Sequence, residues 1–135
     1  MENRFHISLP CLSTKATKDF YCNIIGAQVG RRAEKWVDIN LFNHQITFIK
    51  SGMFKFEYAN YGFENTVLPS FHFGVILENA EWKKLYQKLK SNVHIDVTTF
   101  LKGNNGEHQS FFLKDPNGYV IEFKCFKDGE TVFMA

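Results

Sequence analysis

The sequence predicts an α+β fold in which two β-α-β-β-β units form a cupped mixed sheet. The order of one strand, one helix and three strands occurs twice along the chain, which indicates an internal repeat. The segments Phe5-His6-Ile7 and Phe71-His72-Phe73 open the two copies at matching positions. We therefore expect a single domain over residues 1–135, with a first unit at about 1–50, a connection at 51–68 and a second unit at about 69–135.

The first unit has clear boundaries in the sequence. Strand formers fill residues 4–9, and Pro10 is expected to end that strand. Ser13-Thr14-Lys15 offers an N-cap for a helix over residues 16–25, and Gly26 supplies its C-cap. Three more strands are predicted at residues 27–32, 36–42 and 44–50, with a tight Phe42-Asn43 turn between the last two.

The second unit follows a long connection. Residues 51–68 contain glycines, asparagines and several aromatic residues, so we expect an irregular crossover that covers a cavity. A strand is predicted at 71–77, and Asn79 is expected to cap a helix over residues 80–90. That helix carries a packing stripe at helical spacing, formed by Trp82, Leu85, Tyr86 and Leu89. Strands at residues 95–101, 109–113 and 119–126 complete the unit, with a strong Asp115-Pro116-Asn117-Gly118 turn between the last two.

Composition is that of an ordinary globular chain, with 44% hydrophobic and 22% charged residues among 135. The formal net charge is +2 with acids and bases interspersed, so the sequence offers no basic stripe for nucleic acid and no cationic helix for a membrane. The three cysteines include no C-x-x-C pair, which argues against a disulfide framework or a cysteine-type zinc site. No apolar signal core follows Met1, and we expect a cytoplasmic protein.

Two histidines and one glutamate form the candidate metal site. His6 and His72 occupy equivalent positions of the repeat, so a pseudo-twofold axis through the cavity would turn both imidazoles toward one point. Glu122 lies in the middle of a strand, where a carboxylate that faces an apolar core is costly unless it is paired or metal-bound. The alternative is that Glu122 faces solvent or caps a neighbouring strand. Two imidazoles and one carboxylate are the ligand set expected of non-haem Fe(II), and this set also suits Mn, Ni or Zn.

These residues carry a resemblance to a known family. The repeated layout, the first-strand histidine of each unit and the final Asp-Pro-x-Gly-x-x-x-Glu pattern resemble the vicinal oxygen chelate superfamily, which includes glyoxalase I, extradiol dioxygenases, fosfomycin-resistance enzymes and bleomycin-binding proteins. Residues 36–40, 43–45, 72–77 and 111–118 are most similar to small bacterial proteins described as predicted extradiol dioxygenases. The resemblance implies a glyoxalase-like fold, one divalent metal ion with Fe(II) favoured, a small-molecule substrate and a homodimer. The units of such a dimer pair either within one chain or between chains.

Two departures from the family pattern bear on the activity. Phe112 stands where extradiol enzymes carry a tyrosine, and their upstream histidine window holds Gly103-Asn104-Asn105, so we expect weak or absent catechol cleavage. The last strand of the first unit, residues 44–49, contains no acid that could serve as the fourth metal ligand of glyoxalase I. We expect Gln45 to lie at least one pleat step from the place of that ligand.

Other polar residues are candidates for contact with substrate. His44 and Gln45 begin a strand beside the cavity and could bind substrate, or could simply stabilise the turn. Histidine side chains titrate near neutral pH, so His108 could move a proton, with exposure at a strand start as the alternative. Arg31, Arg32 and Lys102 could hold an anionic substrate, although a solvated surface is the default interpretation for each.

The sequence therefore predicts a divalent-metal-dependent enzyme that acts on a small oxygenated substrate and is dioxygenase-like by resemblance. A glyoxalase-like lyase or isomerase and a thiol transferase are alternatives within the same chemistry. A metal-free protein that sequesters a small molecule is an alternative of another class, favoured by the aromatic residues between Phe54 and Phe63. The chain carries no phosphate-loop or dinucleotide signature, so no organic cofactor is expected.

Overall fold

The computed structural model describes residues 2–129 and 132–133, so both ends of the predicted domain extend beyond the described residues. The chain divides into two compact units. Unit 1 is Met1–Phe56 with Asp115–Gly118, and unit 2 is Glu57–Lys114 with Tyr119–Ala135. Each unit contains one mixed four-stranded sheet, which confirms the predicted α+β class and the repeated β-α-β-β-β order.

Unit 1 is built on four strands. They are β1 His6–Cys11, β2 Gln28–Ala33, β3 Trp36–Leu41 and β4 His44–Lys50. Their order in the sheet is β1-β4-β3-β2, with β1 parallel to β4 and the other neighbours antiparallel. Phe42 and Asn43 adopt φ values of 50° and 70°, which confirms the predicted tight turn between β3 and β4.

The prediction that Pro10 ends the first strand was wrong. Strand β1 continues to Cys11, and Pro10 lies opposite Ile49 of β4. β1 is an edge strand of its sheet, and an edge tolerates proline because one side of the strand needs no N–H donor.

The helix predicted over residues 16–25 begins earlier and changes type. Helix α1 spans Thr14–Asp19, and the side chain of Ser13 caps it as predicted. The chain then continues as a π-helix over Phe20–Ile25. Gly26 closes this segment at φ 94°, and its N–H bonds to a carbonyl five residues earlier. The hydrophobic period of the sequence does not distinguish this i to i+5 hydrogen-bond spacing from the i to i+4 spacing of an α-helix, so the change of helix type was not predicted.

The core of unit 1 lies between α1 and strands β3 and β4. Tyr21 is fully buried, and its ring centroid lies 5.0 Å from that of Phe48. The Tyr21 hydroxyl donates a hydrogen bond to the Asp115 carboxylate at 2.8 Å, and the side-chain oxygen of Asn117 accepts one from the backbone N–H of Leu12 at 2.8 Å. These contacts explain why the turn Asp115–Gly118 belongs to unit 1.

Unit 2 contains a sheet of four strands and a separate hairpin. The hairpin strands are β5 Asn60–Phe63 and β6 Thr66–Pro69, and the sheet strands are β7 Phe73–Ile76, β8 Thr98–Phe100, β9 His108–Lys114 and β10 Val120–Phe126. The sheet order is β7-β10-β9-β8, with β7 parallel to β10. It repeats the order and strand directions of the unit 1 sheet.

The connection predicted as irregular over residues 51–68 is in part regular, because β5 and β6 pair across a tight turn. Glu64 and Asn65 occupy that turn at φ 50° and 68°. These residue types give a weaker hairpin signal than Asn-Gly or Asp-Gly, and the strands are short. The sequence pattern therefore did not reveal the hairpin.

The second helix, α2, spans Asn79–Lys90 and confirms the predicted packing stripe. Trp82, Leu85 and Leu89 are buried, and the Trp82 indole N–H donates to the Phe123 carbonyl at 2.9 Å. The predicted Asn79 cap was wrong, since Glu78 occupies the N-cap position and makes no side-chain cap bond. The strand predicted at 95–101 is reduced to β8. In the described part of the chain, no helix is long and apolar enough to cross a membrane.

Candidate functional site

Helix α2 covers one face of the unit 2 sheet, and the candidate site residues lie on the opposite face. The Trp82 ring lies 5.4 Å from Phe111 of β9, and Phe111 lies directly opposite Phe123 of β10. Successive strand residues point to opposite faces, so Glu122 projects from the face that α2 does not cover.

Glu122 is buried and paired on this face. Its side chain is 8% exposed, Oε1 lies 3.2 Å from His72 Nε2, and Oε2 accepts a hydrogen bond from the Ser110 hydroxyl at 2.6 Å. Lys124 Nζ lies 3.7 Å from the same Oε1. The alternative of a solvent-facing Glu122 is therefore wrong, and two of the three predicted metal ligands face each other.

The imidazole of His72 is oriented by a backbone carbonyl. His72 Nδ1 lies 2.9 Å from the Pro69 carbonyl oxygen, which can only accept, so Nδ1 carries the hydrogen. In the neutral ring Nε2 then carries the lone pair, and this is the atom that faces Glu122. Metal-binding histidines commonly donate their other ring N–H to a carbonyl in this way. The Phe112 ring stands edge-on to the imidazole at 6.1 Å and supplies an apolar wall.

A close approach of two backbones holds His72 and Glu122 on neighbouring strands. Gly74 of β7 lies directly opposite Glu122 of β10 in the parallel ladder. A Cβ atom at Gly74 would collide with the backbone carbonyl oxygen of Glu122. Only glycine fits this position, which is two residues beyond His72.

His6 of unit 1 is oriented by a chain of polar side chains. Its Nδ1 lies 2.8 Å from Gln45 Oε1, and the Gln45 side chain also bonds to the carboxylate of Asp38. A carboxylate only accepts, so the Gln45 amide must turn its NH₂ toward Asp38 and its oxygen toward His6. His6 Nδ1 therefore donates, and Nε2 of the neutral ring is left with the lone pair that a metal ion needs.

Asp38 is a buried anion held by three donors. It is 5% exposed, and it accepts hydrogen bonds from Thr47 Oγ1 at 2.7 Å and from Arg31 Nε at 3.1 Å. Burial on its own would raise the pKa of Asp38, but the bonds from Thr47, Arg31 and Gln45 outweigh it and hold the pKa below its usual range. The carboxylate is therefore ionised at neutral pH.

His44 has the opposite ring orientation. The backbone N–H of Phe5 donates to His44 Nδ1 at 3.1 Å, so Nδ1 carries the lone pair and the neutral ring carries its hydrogen on Nε2. In this tautomer His44 can donate a hydrogen bond through its Nε2–H. His6, His44 and Gln45 all line one unit 1 cavity of about 420 Å³.

The structure does not bring His108 to the His72–Glu122 pair. His108 lies opposite Phe126, four residues along β10 from Glu122, which corresponds to about 13 Å along the strand. Its Nδ1 lies 2.8 Å from the Gly106 carbonyl oxygen, and its ring packs against Phe126 at 5.2 Å and Phe100 at 5.3 Å.

The two sheets can be compared by register. In unit 1, β1 pairs His6 with Gln45 and, two residues on, Ser8 with Thr47. In unit 2, two residues after His72, β7 pairs Gly74 with Glu122. Thr47 therefore holds the position equivalent to Glu122, and Gln45 lies one pleat step away, as predicted. At this position strand β4 has a threonine in place of a carboxylate that could serve as a fourth ligand.

An open cleft borders the same face of unit 2. It has a volume of about 350 Å³, and its wall includes Phe112, Val120 and the β6 residues 66–69. Within the connection, strand β6 therefore lines this cleft, and the predicted covering of a cavity stays a prediction.

The donor set fits a divalent metal, although in the described part of the chain no three His, Cys, Asp or Glu side chains stand together in position to hold one. His72 and Glu122 form a candidate ligand pair in unit 2, and His6 in unit 1 has its Nδ1 atom held by Gln45, which leaves Nε2 as its candidate ligating atom. Neutral imidazole nitrogens with one carboxylate suit Fe(II), Mn, Ni or Zn. The cysteines are less suitable, since burial raises the pKa of Cys11, Cys22 and Cys125 and keeps their thiols protonated.

Sequence reasoning missed several polar residues of both sites. They are Asp38 and Thr47 in unit 1 and Ser110 and Lys124 in unit 2. Asp38 lies in the middle of an alternating strand, which is the signal that identified Glu122, and it could have been found in the same way. Ser110 and Lys124 have no comparable signal, because their role depends on the register of β9 against β10.

Comparison with known proteins gives the family. The chain matches the Glyoxalase/Bleomycin resistance protein/Dioxygenase superfamily over residues 4–123. No curated protein matches it significantly. Among solved structures, it is similar to a glyoxalase/bleomycin resistance protein/dioxygenase from Alicyclobacillus acidocaldarius, with 25% identity, a TM-score of 0.78 and coverage of 93% of this chain and 92% of that one.

Two more distant structures share the fold. A glyoxalase/dioxygenase from Nostoc punctiforme is 16% identical with a TM-score of 0.62, over 93% of this chain and 92% of that one. A genomically encoded fosfomycin resistance protein from Listeria monocytogenes is 14% identical with a TM-score of 0.60, over 95% of this chain and 96% of that one. With the family match spanning nearly the whole sequence, this chain belongs to the glyoxalase/bleomycin resistance protein/dioxygenase superfamily, the vicinal oxygen chelate group.

Proposed function

We propose that this chain is a divalent-metal-dependent enzyme that acts on a small oxygenated substrate. His6, His72 and Glu122 are the proposed metal ligands, Fe(II) is the favoured ion, and the working form is a homodimer. His6 joins the His72–Glu122 pair either from the same chain or from the second copy. The family match supports this class of chemistry.

One observation carries the proposal. The His72 Nε2 and Glu122 Oε1 atoms lie 3.2 Å apart in a buried setting, and the second polar atom of each side chain is already held by another group. The remaining nitrogen of His72 and the remaining oxygen of Glu122 therefore face each other, with Lys124 Nζ 3.7 Å from that oxygen. This is the arrangement expected of two ligands whose orientation is fixed by surrounding hydrogen bonds.

The chemistry of the site follows from its residues. When bound, the ion would act as a Lewis acid on neighbouring substrate oxygens. Ser110 donates a hydrogen bond to the Glu122 carboxylate, and Phe112 places an apolar ring beside His72 without offering a hydroxyl group. His44 can donate a hydrogen bond through Nε2–H. Phe112 argues against ordinary catechol cleavage, and Thr47 argues against a four-ligand glyoxalase site.

A metal-free binding protein is the second candidate, and Lys124 is the observation that favours it. Lys124 Nζ lies 3.7 Å from Glu122 Oε1, so the carboxylate has a cationic neighbour without any metal ion. Under this alternative, the His72–Glu122–Lys124 cluster is an ordinary buried ion-pair network. The open cleft beside Phe112 would then receive a small molecule directly.

Metal analysis of untagged protein, purified without chelator, separates the two candidates. We expect about one divalent ion per chain after anaerobic reconstitution with Fe(II), Mn, Ni or Zn, each tested separately. His72→Ala and Glu122→Gln should each weaken binding by about tenfold or more. His94→Ala is the matched control, since this side chain is 89% exposed and pairs with Asp96 in the same unit.

The outcomes are distinct. Loss of metal from the His72 and Glu122 variants, with retention by the His94 variant, supports the enzyme. No stoichiometric ion in the wild-type protein under any reconstitution would favour the metal-free binder. A full metal content in all three variants would show that His72 and Glu122 are not the ligands.

A further inference from the structure

Arg31 lies on a β-bulge of strand β2 and lines the unit 1 cavity. Strands β2 and β3 pair Val29 with Ile39 and Arg32 with Val37, so Gly30 and Arg31 together oppose the single residue Asp38. Such bulges redirect a side chain that would otherwise follow the regular alternation. A Cβ atom at Gly30 would lie 3.3 Å from the Cβ of Asp38, which shows how closely the bulge approaches this residue.

Asp38 fixes Arg31 through only one of its nitrogens. The contact is Arg31 Nε to Asp38 Oδ2 at 3.1 Å, while the Arg31 side chain is 79% exposed and its guanidinium carbon lies 5.7 Å from the centre of the Trp36 ring. The two terminal nitrogens form the planar fork that binds an oxyanion in bidentate fashion. A buried carboxylate and a ring thus hold the base of the guanidinium, and the fork is open to solvent.

The charges of the cavity favour an anion. Its lining contains Arg4 and Arg31 against the single carboxylate of Asp38. Asp38 is already engaged by Thr47, Arg31 and Gln45. With neutral histidines the lining therefore carries one net positive charge, and His44 adds an N–H donor at Nε2.

We propose that this unit 1 cavity binds an oxyanion, carboxylate or phosphoryl, of the substrate between the Arg31 fork, Arg4 and His44. The inference rests on the proposed function in so far as it gives that enzyme an anionic substrate class. A volume of about 420 Å³ accommodates a small molecule of the size of benzoate.

The test uses simple probes on the complete, chelator-treated protein, so that metal binding does not enter. Inorganic phosphate, benzoate and neutral benzamide are titrated at low ionic strength while NMR follows the Arg31 side-chain N–H and the backbone of unit 1. Arg31→Gln is compared with Arg32→Gln. Arg32 lies opposite Val37 rather than Asp38 and does not line the cavity, so it is a matched control on the same strand.

We expect saturable binding of benzoate or phosphate, with a shift of the Arg31 side-chain signal and with no saturable binding of benzamide. Arg31→Gln should weaken the anion by about tenfold or more, and Arg32→Gln by less than about twofold. Arg4→Gln, which leaves the Asp38 contacts intact, should weaken it in the same direction and guards against a folding defect in Arg31→Gln. The stronger of the two anions identifies the oxyanion class.

Benzamide binding as tight as benzoate, equal losses in the Arg31 and Arg32 variants, or no saturable binding of either anion would overturn the inference. Metal titrations of the same proteins keep this result apart from the proposed function. If the wild-type protein binds metal but neither anion, only the oxyanion site is refuted. Intact anion binding without any metal refutes only the metal-dependent enzyme.

Discussion

Replacing Gly74 by alanine tests whether the approach of β7 to β10 builds the His72–Glu122 pair. An added Cβ would meet three backbone atoms of Glu122, including the carbonyl carbon at 2.6 Å and the nitrogen at 2.9 Å. Carbon atoms pack best at about 3.5–4.0 Å, so the contact with the carbonyl carbon falls about 1 Å short. Backbone atoms have no alternative rotamer, and the two strands must separate.

The expected loss follows from that geometry. Overpacking in a well-packed region costs about 1–3 kcal/mol, and the absence of any flexible neighbour places Gly74→Ala at or above the upper end. Alanine recovers about 0.4–1 kcal/mol by restricting the unfolded chain. The free energy of unfolding should therefore fall by about 2 kcal/mol or more, and metal affinity should fall with it because Glu122 is displaced from His72.

Gly62→Ala is the matched control. Gly62 also lies in a strand of unit 2, has no positive φ, and a Cβ there would meet nothing within 4 Å. Urea unfolding followed by circular dichroism should show little change for Gly62→Ala and a clearly lower midpoint for Gly74→Ala. Equal midpoints for the two variants would refute the reasoning and would mean that β7 and β10 are not as close as described.

Four further predictions address the sites. Ser110→Ala removes the 2.6 Å hydrogen bond to Glu122, and calorimetric metal titration should show an affinity lower by about tenfold, whereas an unchanged affinity would remove Ser110 from the site. The pKa of Asp38 is lowered in the folded state, so its contribution to stability is complete above the unfolded pKa of about 3.9 and is lost as the pH falls through the lower folded value. Asp38→Asn should therefore lower the free energy of unfolding at pH 7. Urea unfolding at several pH values should also show that the stability of the variant falls less steeply with acid than that of the wild type. Equal slopes for the two proteins would contradict this. Fe(II)-loaded protein should cleave catechol weakly or not at all in a spectrophotometric ring-opening assay because Phe112 has no hydroxyl, and robust cleavage would show that another group supplies the proton transfer. Sedimentation at micromolar concentration should show a dimer rather than a single 15.7 kDa species, and mixed His6→Ala and Glu122→Ala chains should regain up to about half of their metal only if sites are shared between chains.

The sequence predicted those elements whose signals are local. The Phe42-Asn43 turn and the strands on either side of it needed only alternation and a tight turn, and the structure has them as β3 and β4. The burial of Glu122 was also predictable, because a carboxylate within an apolar strand must either find a partner or face water.

The errors arose where tertiary context overrides a local rule. Pro10 was predicted to end the first strand, but an edge strand such as β1 tolerates a proline. The π-helical segment Phe20–Ile25 has the composition of an α-helix and differs only in its hydrogen-bond spacing. Gly74 carried a usable signal, since an isolated glycine in a strand often marks a close backbone approach, but the sequence does not name the strand that approaches it.

The two units have the same strand layout but carry their buried acid at different positions. Thr47 and Glu122 hold equivalent positions, and so do the residues opposite them on the next strand, Asp38 and Phe112. In unit 1 the acid is therefore one strand over, where it binds Arg31 and, through Gln45, sets the ring of His6. In unit 2 the acid itself faces the histidine, and the neighbouring strand supplies an apolar ring. The acid therefore lies on adjacent strands in the two units, while the histidine that opens each unit has its Nδ1 atom held by an oxygen acceptor.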